Sequence, residues 1–258
     1  MPTYDGRNKG WLFYLLTAFR FLTVFPLSAP EKTDQADFGR STAFFPVVGL
    51  AQGIILLVMY KVFMPFLPSA LVDALILVAL VILWGGLHID GFCDVIDGFG
   101  GGRDPARILN IMKDSSVGAF AVTGVALLFL MKYAGLTALP ADNKAGIIVC
   151  MPVLSLWSMV LLARLHRYPR EEGGTGRAFM ENTGNKELIT AGLITLGITL
   201  LFMRFHAFII FMIISFVTLL MGEYSKSRIG GVTGDVLGAT KEINDAMVLL
   251  LAAAFLAK

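Results

Sequence analysis

Three aspartates, Asp90, Asp94 and Asp97, recur at intervals of four and three residues in the stretch Gly86-Leu87-His88-Ile89-Asp90-Gly91-Phe92-Cys93-Asp94-Val95-Ile96-Asp97-Gly98. On a helix that spacing gathers the three carboxylates within about 60° of arc. Like charges so close repel, and each resists ionisation unless a cation stands among them. Hard carboxylate oxygens suit Mg²⁺, with Mn²⁺ as the alternative, better than Zn²⁺. The trio is therefore read as metal ligands. The bland alternative, a solvated helix end, is the weaker reading in a chain so poor in charge. His88 lies two residues before Asp90, about 160° round a helix from it. It joins the acids as a catalytic candidate only where Gly85-Gly86 breaks the helix.

Other polar segments suit the same chemistry. After the acids comes Gly98-Phe99-Gly100-Gly101-Gly102-Arg103-Asp104. Glycines admit phosphate oxygens to backbone N–H groups, and an arginine such as Arg103 can grip them with two parallel bonds. No Gly-Lys-Ser/Thr closes the stretch, so it is not a P-loop. Asp114 and Ser115 suit the cap of the next helix. In Gly230-Gly231-Val232-Thr233-Gly234-Asp235-Val236-Leu237-Gly238-Ala239, one acid stands among glycines beside an apolar segment. Asp235 is a candidate fourth ligand, or the carboxylate that activates a nucleophile. Arg164, Arg167, Arg170 and Arg177 surround Gly173-Gly174-Thr175-Gly176, and serve either an anionic substrate or the sidedness of the chain.

The elements that must position these groups are apolar. The 258 residues are 56% hydrophobic and 16% charged, where soluble domains carry about a quarter charged residues. Composition thus points to an all-α polytopic integral membrane helical bundle, forming one membrane domain over 1–258. A span needs about 20 apolar residues. Seven segments qualify, three of them short: 42–63, 71–87, 117–136, 145–165, 188–203, 205–222 and 243–256. Segment 11–25 carries Thr17 and Arg20 and stops at Pro26, which suits a helix lying in the interface. The polar residues 1–10 and the apolar run after them lack a cleavage site, so no cleavable signal peptide is expected.

Sixteen of the 21 lysines and arginines fall in alternate segments: the N-terminal region and the loops near 88–116, 164–187 and 223–241. By the positive-inside rule these face the cytoplasm and the C-terminus faces out. All the glycine-rich and acidic loops then share the cytoplasmic side. The net charge of +2 is dispersed, which excludes a nucleic-acid footprint. Cys93 and Cys150 read as unpaired thiols, and His166 and His206 have no constellation around them.

Several motifs in order resemble the cobalamin synthase family, the adenosylcobinamide-GDP ribazoletransferases, over nearly the whole chain. They are Phe21-Leu22-Thr23, Arg40-Ser41-Thr42-Ala43-Phe44-Phe45-Pro46-Val47-Val48-Gly49, Gly86-Leu87-His88-Ile89-Asp90-Gly91 with Asp94 and Asp97-Gly98, Met112-Lys113-Asp114-Ser115 with Gly118, and Gly230-Gly231-Val232-Thr233-Gly234-Asp235. The resemblance implies a bacterial or archaeal enzyme of the cytoplasmic (inner) membrane that depends on Mg²⁺. Its substrates would be adenosylcobinamide-GDP and α-ribazole or its phosphate; a ribose hydroxyl attacks the corrinoid-side phosphorus and GMP leaves. Asp90, Asp94 and Asp97 would then hold the metal. Asp94, Asp235 and His88 would be catalytic, and Arg103, Lys113 and Arg40 would contact phosphate. An oligomer is compatible with this reading. Two rivals remain. Asp94-x-x-Asp97-Gly98 with Arg103 echoes the start of the CDP-alcohol phosphotransferase signature, but no GxxxD-xxx-D follows. A divalent-cation transporter would place such acids near the membrane midplane, commonly in paired repeats, and no repeat is visible.

Overall fold

The computed structural model describes residues 9–28, 33–170 and 175–256. Gly173 and Gly174, named above, lie outside them, as do Arg7, Lys32 and Lys258 among the 21 lysines and arginines counted. Among the described residues the chain is helical without strands: α1 Trp11–Leu22, α2 Gln35–Ser41, a 3₁₀ turn Thr42–Phe44, α3 Phe45–Phe63, α4 Ser69–Leu83, α5 Leu87–Gly101, α6 Pro105–Ile111, α7 Ala119–Thr137, α8 Ala141–Leu165, α9 Thr175–Asn182, α10 Asn185–Met203, α11 Phe205–Ile229 and α12 Gly234–Leu256. The protein is a multi-pass membrane bundle.

Five helical stretches are long and apolar enough to cross a membrane: 35–63, Ala119–Thr137, Ala141–Leu165, Asn185–Met203 and Phe205–Ile229. A sixth arises if α4 and α5, bent by 90° at their junction, count as one span. The seven expected spans are not confirmed, and two differences account for it. The segment expected at 71–87 ends at Leu83, where Gly85 (φ 60°) and Gly86 (φ 75°) turn the chain. Only glycine adopts that left-handed backbone without strain. The last helix begins at Gly234 rather than at 243, and takes Lys241, Glu242 and Asp245 into its middle. α1, at 12 residues, is about 18 Å long and too short to cross hydrocarbon. It lies against α2 and α3 with Trp11 67% exposed.

α8 is the central pillar, buried along nearly its whole length despite Pro152. α3, α10 and α12 pack around it, and α12 in turn carries α5, α7 and α11. Lipid tails are as apolar as these side chains, so close packing and internal polar bonds hold such helices together. The polar bonds are conspicuous. Lys144 of α8 reaches Asp73 of α4 at 2.7 Å, both buried. Lys132 of α7 bonds Glu242, and Asp245 at 3.1 Å, both on α12. Lys241 bonds the same two acids at 3.0 and 2.8 Å, and its ammonium lies 4.4 Å from the centre of the Trp84 ring. Lys241 thus belongs to the core rather than to a basic loop, and Lys132 is likewise withdrawn from the surface.

Candidate active site

The sharp turn at Gly85-Gly86 launches α5, so all three aspartates stand on one helix as their spacing predicts. Where Gly91 of α5 meets α12, a side chain would come within 2.9 Å of the Asp235 backbone; where Gly238 of α12 meets α5, a side chain would come within 3.2 Å of His88. The two missing side chains let the helices approach to backbone distance. That approach sets Asp235, in the first turn of α12, beside the face of α5 that carries Asp90 and Asp94.

Asp235 is held from two directions. Arg170 Nη2 donates to its Oδ2 at 3.2 Å, and Thr233 Oγ1 donates to the same oxygen at 3.2 Å. Arg170 arrives because the chain after α8 is pinned: Val232 N–H donates to Arg167 O at 2.9 Å. Arg170 Nε is buried with no partner among the described residues. Asp94, half-buried, lies in the field of Asp235, Asp90 and Asp97, opposed by Arg170. Asp90 is exposed. The centre therefore carries excess negative charge with a guanidinium at its edge.

Asp97 is placed differently. Gly118 N–H donates to its Oδ2 at 2.6 Å and Ala121 N–H to its Oδ1 at 2.9 Å. These are orphan donors at the start of α7, so Asp97 caps that helix from 21 residues away. Asp114, expected as the cap, instead closes a local turn by accepting from Ser116 N–H and its hydroxyl. Those bonds hold its carboxyl below the usual carboxylate range.

His88 does not join the acids. It is buried, its ring 4.7 Å from Trp84 in an edge contact, and it feels Lys241, Glu242 and Lys132 rather than the aspartates. Its Nε2 has no partner among the described residues. The helix already includes residue 88, so the side chain falls on the opposite face. Arg40 stands elsewhere too, with its Nη1 2.8 Å from Tyr14 Oη in a cavity that also holds Lys9 and Lys186. Arg103 and Lys113 are exposed on the turns either side of α6. The glycines meant to cradle a phosphate are largely helical. Residues 98–101 complete α5, and a side chain at Gly98 would meet Met112 at 2.6 Å.

Sequence reasoning named Arg170 only as one of four arginines in its loop and passed over Arg228, because each is one of several basic residues in a sided loop. Arg228 Nη2 donates to Phe99 O at 2.9 Å and Gly102 O at 3.0 Å. It thereby satisfies free carbonyls at the end of α5, where a cation is also favoured by the helix dipole.

The charge balance suits a divalent cation and hard oxygen ligands. Among the described residues, however, no three His, Cys, Asp or Glu side chains converge into a cluster that could hold a metal, and Asp97 is committed to α7.

The family model for cobalamin-5-phosphate synthase matches residues 14–253. The chain belongs to the cobalamin-5-phosphate synthase family. Relatives named adenosylcobinamide-GDP ribazoletransferase cover it almost end to end. The protein of Syntrophobacter fumaroxidans is 36% identical over 248 residues, 92% of this chain and 96% of the relative. That of Chlorobaculum tepidum is 39% identical over 247 residues, 94% and 95%. That of Clostridium tetani is 32% identical over 248 residues, 95% and 98%. No solved structure matches. The family places the chain in the assembly of the cobalamin nucleotide loop, and α5 and α12, which join Asp90, Asp94 and Asp235, hold parts of two of the five motifs noted in the sequence.

Proposed function

We propose that this chain joins adenosylcobinamide-GDP to α-ribazole, or to its phosphate as the family's name suggests. A ribose hydroxyl attacks the corrinoid-side phosphorus. A new P–O bond forms to the ribose oxygen, the P–O bond to GMP breaks, and the hydroxyl proton passes to a carboxylate. The observation that carries this reading is the meeting of α5 and α12, which sets Asp94 and Asp235 together with Arg170 at their edge. In-line transfer between anionic groups needs position and charge neutralisation more than covalent chemistry. Arg170 Nε is a buried donor suited to a phosphate oxygen, while Asp94 or Asp235 takes the proton.

Mg²⁺, with Mn²⁺ as the substitute, is proposed as cofactor. Asp90, Asp94 and Asp235 would hold it once their side chains turn inward, and it would neutralise the pyrophosphate charge. Arg103 and Lys113 remain proposed contacts for the more distant phosphate. We further propose that the site opens to the cytoplasm at the inner membrane, since the basic segments share that side.

The test uses purified chain in proteoliposomes with Mg²⁺, adenosylcobinamide-GDP and α-ribazole, following GMP release and corrinoid product. Native protein should turn over, EDTA should stop it, and Asp94→Asn should lower the rate about 100-fold or more. Folded native protein that makes no product sinks the reading. Turnover that survives EDTA removes the metal from it.

A further inference from the structure

A cavity of about 440 Å³ opens where the chain leaves α8. Arg164, His166, Arg167 and Tyr168 line it from that side, and Met180 and Glu181 of α9 line it from the other. Asp90, Asp94, Asp235 and Arg170 do not line it. Glu181 is the one carboxylate among its described lining residues, and Arg177 Nε already lies 2.7 Å from it. The cationic side is less committed. Arg164 spends Nε on Asn185 Oδ1 at 2.8 Å, which leaves its two terminal nitrogens. Arg167 is exposed, and among the described residues its guanidinium meets no hydrogen-bond or ion-pair partner. Only its backbone is engaged, through the carbonyl that accepts from Val232 N–H.

His166 makes this a built site rather than a surface dent. Its side chain is 4% exposed, yet neither ring nitrogen has a hydrogen-bond partner among the described residues. Gly222 of α11 makes room for the ring, since a side chain there would collide with the imidazole. Glu223 Oε1 stands 3.5 Å from Nε2, but that carboxylate is exposed and also engages Lys226 at 3.3 Å. Buried polar groups in folded proteins are paired, so a ring left open beside a cavity points to a ligand. Two guanidiniums and an imidazole select an anion with several oxygens, and the planar fork of arginine matches phosphate.

We infer that this cavity binds the phosphate monoester of the acceptor nucleoside, and so makes α-ribazole phosphate, rather than α-ribazole, the preferred acceptor. The identity of the ligand rests on the reaction proposed above; the anion site itself does not. Position decides which phosphate is meant. Arg167 and Arg170 are three residues apart, at most about 10 Å along the chain, and Arg170 donates to Asp235. A ribose whose hydroxyl meets Asp235 would bring a phosphate on the same sugar towards Arg167. The departing GMP leaves on the opposite side of the phosphorus from the attacking hydroxyl, as in-line transfer requires.

The experiment takes the full chain in proteoliposomes with adenosylcobinamide-GDP and compares KM for α-ribazole and for its phosphate. Native protein should show the lower KM for the phosphate. Arg167→Gln should raise that KM about tenfold, the worth of one charge-assisted bond, and narrow the ratio between the two acceptors by as much. Arg167→Lys should recover part of the loss, because the charge stays while the fork goes. Both variants keep the carbonyl that holds Val232. KM values for the two acceptors that rise in step, or no preference for the phosphate in native protein, overturn the proposal. A KM for adenosylcobinamide-GDP that rises instead gives the cavity to the departing nucleotide and overturns it too. Calorimetric titration of the detergent-solubilised chain with inorganic phosphate needs no turnover. Saturable binding at one site per chain, weakened about tenfold in Arg167→Gln, upholds the anion site even where no substrate turns over. Equal binding by the native chain and the variant removes it.

Discussion

Asp97 gives both its oxygens to backbone N–H groups at the start of α7, whereas Asp94 lies in the field of Asp90, Asp235 and Arg170. The two carboxylates share a helix face, yet their loss should fail in different ways. Asp97→Ala strips a helix of its cap and leaves buried donors unmatched, which costs about 1–2 kcal/mol. Its thermal midpoint should fall while the product formed per folded molecule falls much less. Asp94→Asn should do the reverse, keeping the midpoint and losing turnover. If Asp97→Ala melts with the native protein, the cap is not what Asp97 contributes. Spacing alone could show that the aspartates share a face. It could not separate a ligand from a cap, because the decisive partner, Gly118, is 21 residues away. Arg170 was illegible for a related reason: four arginines share its loop, and only the pinning of Arg167 to Val232 selects the one that reaches Asp235.

Between elements, the controlling contact is the approach of α5 to α12. A helix crossing at backbone distance needs positions without side chains, and Gly91 and Gly238 supply them. Adding bulk at Gly91 must push Asp235 away from Asp90 and Asp94, or force α5 to rotate. Gly91→Val should therefore abolish turnover even in protein that still inserts and elutes as a single species. Thr218→Val, on α11 where Thr218 Oγ1 accepts from Asn244 of α12, is the control that perturbs α12 through its contact with α11 and leaves Gly91 and Gly238 untouched. A Gly91→Val enzyme with native activity would show that the helices need not meet for the reaction. The motif residues Gly86, Gly91 and Gly234 were visible as glycines from the start. Their purpose was not, since a glycine that turns the chain and one that admits a neighbouring helix look alike in sequence. The run Gly98–Gly102 illustrates this, reading as a phosphate cradle while serving as the end of α5 and its packing surface against α6.

At the scale of the whole molecule, composition was enough to establish an apolar helical bundle, since 56% hydrophobic residues leave little choice of solvent. The number of crossings was not, because hydropathy treats every charge as a loop signal. α12 carries Lys241, Glu242 and Asp245 where an apolar span was expected, and Lys132 of α7 comes to meet them. Two cations and two anions cancel there, so the cluster can lie inside the bundle without net charge. The same neutrality makes it fragile. Removing one member of a buried ion pair leaves an uncompensated charge and typically costs about 3–5 kcal/mol, whereas removing both partners costs far less. Lys132→Met should consequently destabilise the bundle strongly, by loss of helix signal at lower temperature in detergent. The double variant Lys132→Met/Glu242→Gln, which leaves Lys241 balanced by Asp245, should recover much of the loss. Because His88 and Trp84 pack onto this cluster from the α4–α5 corner, the single variant should also loosen the joint that aims α5 at α12. Activity should then fall further than the unfolded fraction explains, and return with the double variant. Equal stability in the single and double variants would mean that charge balance does not hold this corner together, leaving the glycine contacts to position the acids.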